Sequence, residues 1–210
     1  NRVLSKSELL GRLAFCGYEI INETTIEDKF YFICKKKKTV SEEKSPSYGP
    51  IVKLKRIGYN GEPLYIYKLR TMYPYSEFIQ GDIYEKYHLD KSGKMKGDYR
   101  ITSWGKIFRK YFLDEIPQIY NWLKGDLNLV GIRALSEHYF SLYPDDLKQK
   151  RINFKPGLIP PYYADLPESF DEIVNSEREY LLQKEKSPIL TDIKYFFKAS
   201  SNILLGARSK

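Results

Sequence analysis

Histidine and cysteine are nearly absent. His88 and His138 are the two histidines, too few to support a zinc site or a histidine-dependent triad. Cys16 and Cys34 are not spaced as a CxxC pair, and two buried thiols in a reducing compartment are expected in preference to a bridge. No apolar run approaches the roughly 20 residues that a membrane-spanning helix needs, so any membrane contact is expected to be peripheral. No signal peptide pattern opens the chain, and a start at Asn1 instead of Met is expected of a piece of something longer. A glycine-rich phosphate loop following a strand is also missing, which argues against a doubly wound nucleotide-binding sheet.

Aromatic side chains, by contrast, are plentiful, with 19 Tyr and 11 Phe. They suit a core, and they also suit a membrane interface where one end is apolar and the other wet. A hydrophobic content of 42% over 210 residues supports one ordinary domain with room for a small appendage. The net charge of +8 favours anionic partners such as nucleic acid, acidic lipid or phosphorylated substrates, and equally suits a lysine-solubilised protein.

Residues 1–38 read as a small α-β-β appendage. Ser5 and Glu8 form a capping-box pattern ahead of Leu9, Leu10, Leu13 and Cys16, and Gly17 stops the helix. Tyr18–Ile21 and Phe30–Cys34 read as strands. This unit resembles the tail of a class I methyltransferase fold, but it has no cofactor loop and no activity is assigned to it. The lysine run Lys35–Lys38 leads into a polar linker over 39–48. Ile51–Ile57 and Leu64–Leu69 flank Asn60-Gly61, a hairpin signal because both turn positions favour positive φ.

Residues 73–98 read as a polar, tyrosine-rich excursion with one helix. From Thr102, Trp104, Ile107, Phe108, Tyr111 and Phe112 recur at helical steps. Gly125 closes the next short helix, and Lys155-Pro156-Gly157 and Pro160-Pro161 break the chain again. Ser169 and Glu172 cap a helix running to about Lys184. Pro188 starts a last helix, whose apolar stripe is Ile189, Leu190, Ile193, Phe196, Phe197, Ile203 and Leu204, ending before Gly206. Core packing is the expectation for that stripe. An interfacial helix, flanked by Lys194, Lys198, Arg208 and Lys210, is the alternative. The fold class expected is α+β, with helices packed around a short antiparallel β-hairpin and the small N-terminal unit appended.

Asp114 and Glu115 are the carboxylates of interest. Pro117 belongs in a first helical turn, which makes Asp114 a helix N-cap and sets Glu115 just inside. Free N–H groups and the helix dipole there would keep Asp114 ionised, as a nucleophile or metal ligand requires. Ordinary capping explains the same two residues without any chemistry. Lys68, Arg70, Arg100, Arg109 and Arg133 supply the cations that phosphoryl transfer needs to offset spreading negative charge.

These residues sit in ordered words: Gly49-Pro50, Lys55-Arg56-Ile57-Gly58-x-Asn60-Gly61, Tyr67-Lys68-Leu69-Arg70-Thr71-Met72, Asp98-x-Arg100-Ile101-Thr102 and Gly105-Lys106-Ile107-Phe108-Arg109-Lys110. Then follow Leu113-Asp114-Glu115-Ile116-Pro117-Gln118, Asn121-x-Leu123-Lys124-Gly125-Asp126-Leu127, Val130-Gly131-x-Arg133 and Lys155-Pro156-Gly157. In these words residues 49–210 resemble the bacterial sugar transferase family, the monotopic polyprenyl-phosphate phosphoglycosyl transferases. The resemblance implies a catalytic domain over 49–210 that moves a sugar phosphate from a UDP-sugar to polyprenol phosphate. It implies Asp114 as nucleophile, Glu115 as its helper with Mg²⁺, and Lys68, Arg109 and Arg133 as phosphate holders, with Arg70 and Arg100 as further candidates. It places the chain on the inner face of the cytoplasmic membrane, without a nucleic-acid partner.

Three features depart from the family pattern. Residues 1–48 carry no apolar hairpin. Gly131-Ile132-Arg133-Ala134 stands where the family has Gly-Pro-Arg-Pro. Leu158-Ile159-Pro160-Pro161-Tyr162-Tyr163 replaces the usual Ile-Thr-Gly after Lys155-Pro156-Gly157. A catalytically silent, membrane-associated scaffold of a polysaccharide-synthesis complex is the rival reading, and a basic nucleic-acid binder the third.

Overall fold

A computed structural model describes residues 4–37, 48–87 and 98–205. They form two compact units that alternate along the chain: residues up to Val52 with Leu69–Tyr87 and 98–114, and Lys53–Lys68 with Glu115–Leu205.

In the first unit, α1 (Lys6–Phe15) begins where Ser5 Oγ accepts from Glu8 N at 3.1 Å and ends before Gly17, whose φ is 83°. β1 (Tyr18–Ile26) and β2 (Lys29–Lys36) form an antiparallel hairpin that runs further than predicted. Asn22-Glu23-Thr24-Thr25 pair with Ile33, Phe32, Tyr31 and Phe30, so cross-strand pairing outweighs the poor strand propensity of Asn22 and Glu23. Ile20 and Phe30 pack against Leu10, Ile79 and Ile83, which make this unit's core. A 3₁₀ turn over Ser76–Ile79 leads into α2 (Gln80–Tyr87), the one helix expected in the tyrosine-rich excursion. α3 (Ser103–Lys110) is capped by Thr102, whose Oγ1 accepts from Gly105 N at 2.9 Å.

In the second unit, β3 (Ile51–Ile57) and β4 (Pro63–Leu69) pair as the predicted hairpin from Lys53 to Lys68. Asn60 and Gly61 adopt φ of 54° and 77°, as their turn requires. Leu54, Leu64 and Ile66 pack with Leu127 and Ala134. Then come α4 (Gln118–Leu123), β5 (Asn128–Val130), α5 (Glu137–Ser141), α6 (Asp145–Ile152) and β6 (Gly157–Ile159). α7 (Tyr162–Asp165), α8 (Phe170–Lys186) and α9 (Pro188–Leu204) complete it. The α+β class is therefore as expected.

The structure corrects several details. β5 and β6 are a parallel pair, Asn128 opposite Gly157 and Val130 opposite Ile159, at a point where only chain breaks were expected. Three-residue strands separated by two helices leave no periodic trace. The α9 stripe does not pack into a core: Ile189, Leu190, Phe197 and Leu204 are exposed, and the buried face is Thr191, Tyr195 and Ala199. Tyr180 Oη donates to Asp192 Oδ1 at 2.7 Å, so a polar face binds α9 to α8 and turns the apolar one outward. The thiols are free, as expected, but not both buried: Cys16, at the end of α1, is exposed and Cys34 is half-buried. The linker at 39–47, Lys38, His88, and the helix stop at Gly206 with Arg208 and Lys210 lie outside the described residues.

Candidate active site

Leu113–Glu115 form a single 3₁₀ turn, entered through Phe112 with φ of 56°. Asp114 is therefore not the N-cap of α4, which starts three residues beyond Glu115, directly after Pro117. Pro117 does sit at the helix entrance, as its fixed φ favours, but it takes the cap position itself. In a turn of this kind, successive side chains diverge by about 120°, so Asp114 and Glu115 face different surroundings. Asp114 ends the first unit and Glu115 begins the second.

Glu115 lies among cations. Its Oε1 accepts from Lys68 Nζ at 2.5 Å, and its Oε2 from Gln118 Nε2. Burial pushes the Glu115 carboxyl up, but Lys68, then Arg133 and Gln118, outweigh it and hold it below the ordinary carboxylate range. Glu115 is thus ionised at neutral pH. Arg56 joins the group: burial first, then the like charge of Arg133, lowers its guanidinium, while Glu115 raises it. The Arg133 guanidinium lies 5.4 Å from the centre of the Tyr162 ring, which is edge-on to Tyr163 at 4.4 Å. Arg56, Lys68 and Arg133 against one carboxylate leave an excess of positive charge suited to a phosphate-bearing ligand.

Asn121 joins the two elements that hold this group. It is fully buried, its Nδ2 donates to Tyr65 O at 2.7 Å, and its Oδ1 accepts from Tyr67 N at 3.1 Å. The amide thereby acts as a short extra strand on the edge of β4, one residue from Lys68. Three residues back along α4 is Gln118, which holds Glu115.

The first unit builds the surroundings of Asp114. Asp114 is 8% exposed and acts electrostatically on Arg109, whose Nε donates to Thr71 Oγ1 at 2.9 Å. Burial lowers the Arg109 guanidinium, while Asp114 and Asp98 raise it. Thr71 is fixed in turn: its carbonyl accepts from Thr102 N at 2.9 Å and from Thr102 Oγ1 at 3.1 Å. A Cβ on Gly105 would stand 2.2 Å from that carbonyl, so only glycine lets α3 approach closely enough to bring Arg109 there. Arg100 is held bidentately by Asp98, at 2.8 and 2.7 Å, and also donates to Gln80. Arg70 donates to Gly49 O at 2.9 Å.

Of the residues singled out from sequence, Lys68, Glu115 and Arg133 meet in the second unit, and Arg109 and Asp114 in the first, with Arg100 near enough to act on Arg109. Arg70 belongs to the first unit, on the Gly49 carbonyl. Arg56, Gln118 and Asp98 were not singled out as site residues, and Tyr162 only as a candidate for access of the lipid acceptor. Arg56, Gln118 and Asp98 lie inside the quoted words, which was the available signal; Tyr162 lies in a stretch that departs from the pattern. Among the described residues no three His, Cys, Asp or Glu side chains converge as a metal cluster. A carboxylate has about four acceptor positions, so the bonds from Lys68 and Gln118 leave Glu115 able to take a hard cation. Mg²⁺ commonly uses one or two carboxylates together with substrate phosphates, and these residues fit that need.

The pattern of the family described as "Bacterial sugar transferase" matches residues 40–206. The galactosyl transferase CpsE of Streptococcus agalactiae is 35% identical over 161 residues, covering 74% of this chain and 34% of that protein. The undecaprenyl-phosphate galactose phosphotransferase of Salmonella typhimurium is 37% identical, over 49% of this chain and 22% of its own length. An Aeromonas hydrophila protein named UDP-N-acetylgalactosamine-undecaprenyl-phosphate N-acetylgalactosaminephosphotransferase is 29% identical, over 78% and 37% respectively. The matched region thus spans about a third of the length of the first of these relatives.

Proposed function

The chain belongs to the bacterial sugar transferase family, and on that footing we propose that it transfers a sugar phosphate from a UDP-sugar to polyprenol phosphate, the first step of cell-surface polysaccharide or glycoconjugate synthesis. An Asp114 oxygen attacks the sugar-linked phosphorus, the bond from that phosphorus to the UMP oxygen breaks, and UMP leaves with the electron pair. The aspartyl phospho-sugar is then attacked by an oxygen of polyprenol phosphate, which takes the phospho-sugar and returns Asp114 as a carboxylate. Names of relatives that act on UDP-sugars and undecaprenyl phosphate support the donor and acceptor classes.

One observation carries the reading: Glu115, one peptide bond from Asp114, is ionised within a group of cations larger than it neutralises. A carboxylate nucleophile meets a diphosphate only if such charges offset their repulsion. Lys68 and Arg133, beside Glu115, bind phosphate, and Arg109, beside Asp114, is a phosphate holder on its own side; Arg70 and Arg100, bonded to Gly49 and to Asp98, are further candidates. Glu115 would hold Mg²⁺ together with substrate phosphates, and Mg²⁺ when bound supplies further neutralisation of phosphate charge.

The acceptor is a lipid, and contact with the inner face of the cytoplasmic membrane belongs to the same proposal. No helix among the described residues is long and apolar enough to cross a membrane. The exposed Ile189, Leu190, Ile193 and Phe197 of α9, with Lys194 and Lys198 beside them, suit a shallow seat on an anionic surface.

The test is a panel of UDP-sugars with Mg²⁺, scored for UMP release and for a phospho-sugar mass on Asp114. Turnover that disappears in a folded Asp114→Asn variant is the expected result. Neither product from any donor would sink the enzymatic reading and leave the scaffold.

A further inference from the structure

Arg151 and Glu177 are among the most deeply buried charges described. Their side chains are 3% and 0% exposed, and they form an ion pair between α6 and α8. The face of Tyr143 lies 4.7 Å from the Arg151 guanidinium. Burial lowers Arg151 to about 10, so it is still a cation at neutral pH. Withdrawing two charges from water is expensive, and well-packed apolar side chains often stabilise a core as well or better. Stability alone therefore leaves the pair unexplained.

The guanidinium has a second contact that supplies a reason. Arg151 Nη2 donates to the backbone carbonyl of Arg133 at 2.6 Å. Neighbouring carbonyls in that loop have other anchors: Ile132 O accepts from Gly157 N, and Leu135 O from Ile57 N, each at 2.9 Å. Arg133 stands between Ile132 and Ala134, neither of which restricts φ as proline does. The bond from Arg151 thus fixes the middle of a loop whose two sides are fixed by backbone pairing.

We propose that Arg151, oriented by Glu177, is a positioning residue for the phosphate site: it holds the Arg133 backbone so that the Arg133 guanidinium faces Glu115 and the donor. An arginine suits this role because its planar fork serves a carboxylate and a carbonyl at once, which a lysine ammonium does less rigidly. The inference rests on the proposed function for its reading of what Arg133 holds, but not for the bracing itself.

The test uses Arg151→Met/Glu177→Leu, which removes both charges together and keeps apolar volume, since either single change strands a buried charge. The expected variant melts like the native chain, yet its KM for the UDP-sugar rises about tenfold. In that background Arg133→Ala is expected to cost about tenfold less than in the native chain, because coupled residues are not additive. Equal losses from Arg133→Ala in both backgrounds, or an unchanged KM, would overturn the proposal. Should the double variant fail to fold, Arg151→Lys keeps the charge and is expected to raise KM with kcat less affected; native constants there would also overturn it. A ligand-free readout separates this proposal from the enzymatic one. The Arg133 Nε–Hε resonance is expected to shift in the double variant even if no donor releases UMP, and an unmoved resonance counts against the brace.

Discussion

Lys68 Nζ and Glu115 Oε1 lie 2.5 Å apart although 47 positions separate them in the chain. The pair links the end of the β-hairpin to the turn that carries both acidic residues of the proposed site. It decides how Glu115 titrates, because burial and cation oppose each other there.

Replacing Lys68 by Met should let burial win. With folding lowering the Glu115 pKa, its stabilising contribution is complete above the unfolded value near 4.5 and is lost as pH falls through the lower folded value. The acid limb of the native kcat/KM profile is expected below that value wherever Glu115 controls it. In Lys68→Met the limb should move up, because burial is then no longer opposed by the ammonium, as measured by UMP release across buffers. A limb that stays put would show that Glu115 does not govern it.

Arg133→Lys should not rescue Arg133→Ala. A single ammonium lacks the planar fork that meets two phosphate oxygens. Both variants are expected to lose about 10²–10³ in kcat/KM, the size of losing one positioned donor to developing charge. Full activity in the lysine variant would mean that charge alone suffices.

Asn121→Leu should destabilise by about 1–3 kcal/mol, because the Tyr65 carbonyl and the Tyr67 amide lose their buried partner together. Urea unfolding with an unchanged slope and a lower midpoint would record it. A midpoint equal to native would show that water replaces the amide there.

Gly105→Ala introduces a Cβ 2.2 Å from the Thr71 carbonyl. Overpacking of this kind costs about 1–3 kcal/mol and should push α3 away, separating Arg109 from Thr71. Activity is expected to fall further than in Gly81→Ala, where nothing stands within 4 Å. Thermal melting and donor turnover, measured together, distinguish the two sites.

Ile193→Glu/Phe197→Glu should leave melting unchanged, because both side chains are exposed. Flotation with vesicles containing anionic phospholipid is expected to drop about tenfold or more, since apolar area and electrostatic attraction are both lost. Unaltered flotation would remove α9 from the membrane contact.

Local signals were readable wherever a few neighbouring residues decide the outcome. Ser5, Thr102 and Ser169 cap their helices because each oxygen reaches an amide three residues on. Asn60-Gly61 turns the hairpin because those residues tolerate positive φ. The order of the words around Asp114 and Glu115 was enough to give the family. The expected N-cap at Asp114 was wrong, because Phe112 at positive φ and Pro117 together make a separate turn before α4.

By itself, then, the sequence determined the starts of α1, α3, α8 and α9, the hairpin turn and the α+β class. These depend on spacing within a turn or two. Only the tertiary structure decided that β5 and β6 run parallel, that the α9 stripe faces outward, and that Arg56 and Gln118 stand beside Glu115. It alone set Arg151 and Glu177 beneath the Arg133 loop. Those outcomes are fixed by contacts between segments distant in the chain, where burial and charge pairing compete and no local pattern records which one wins.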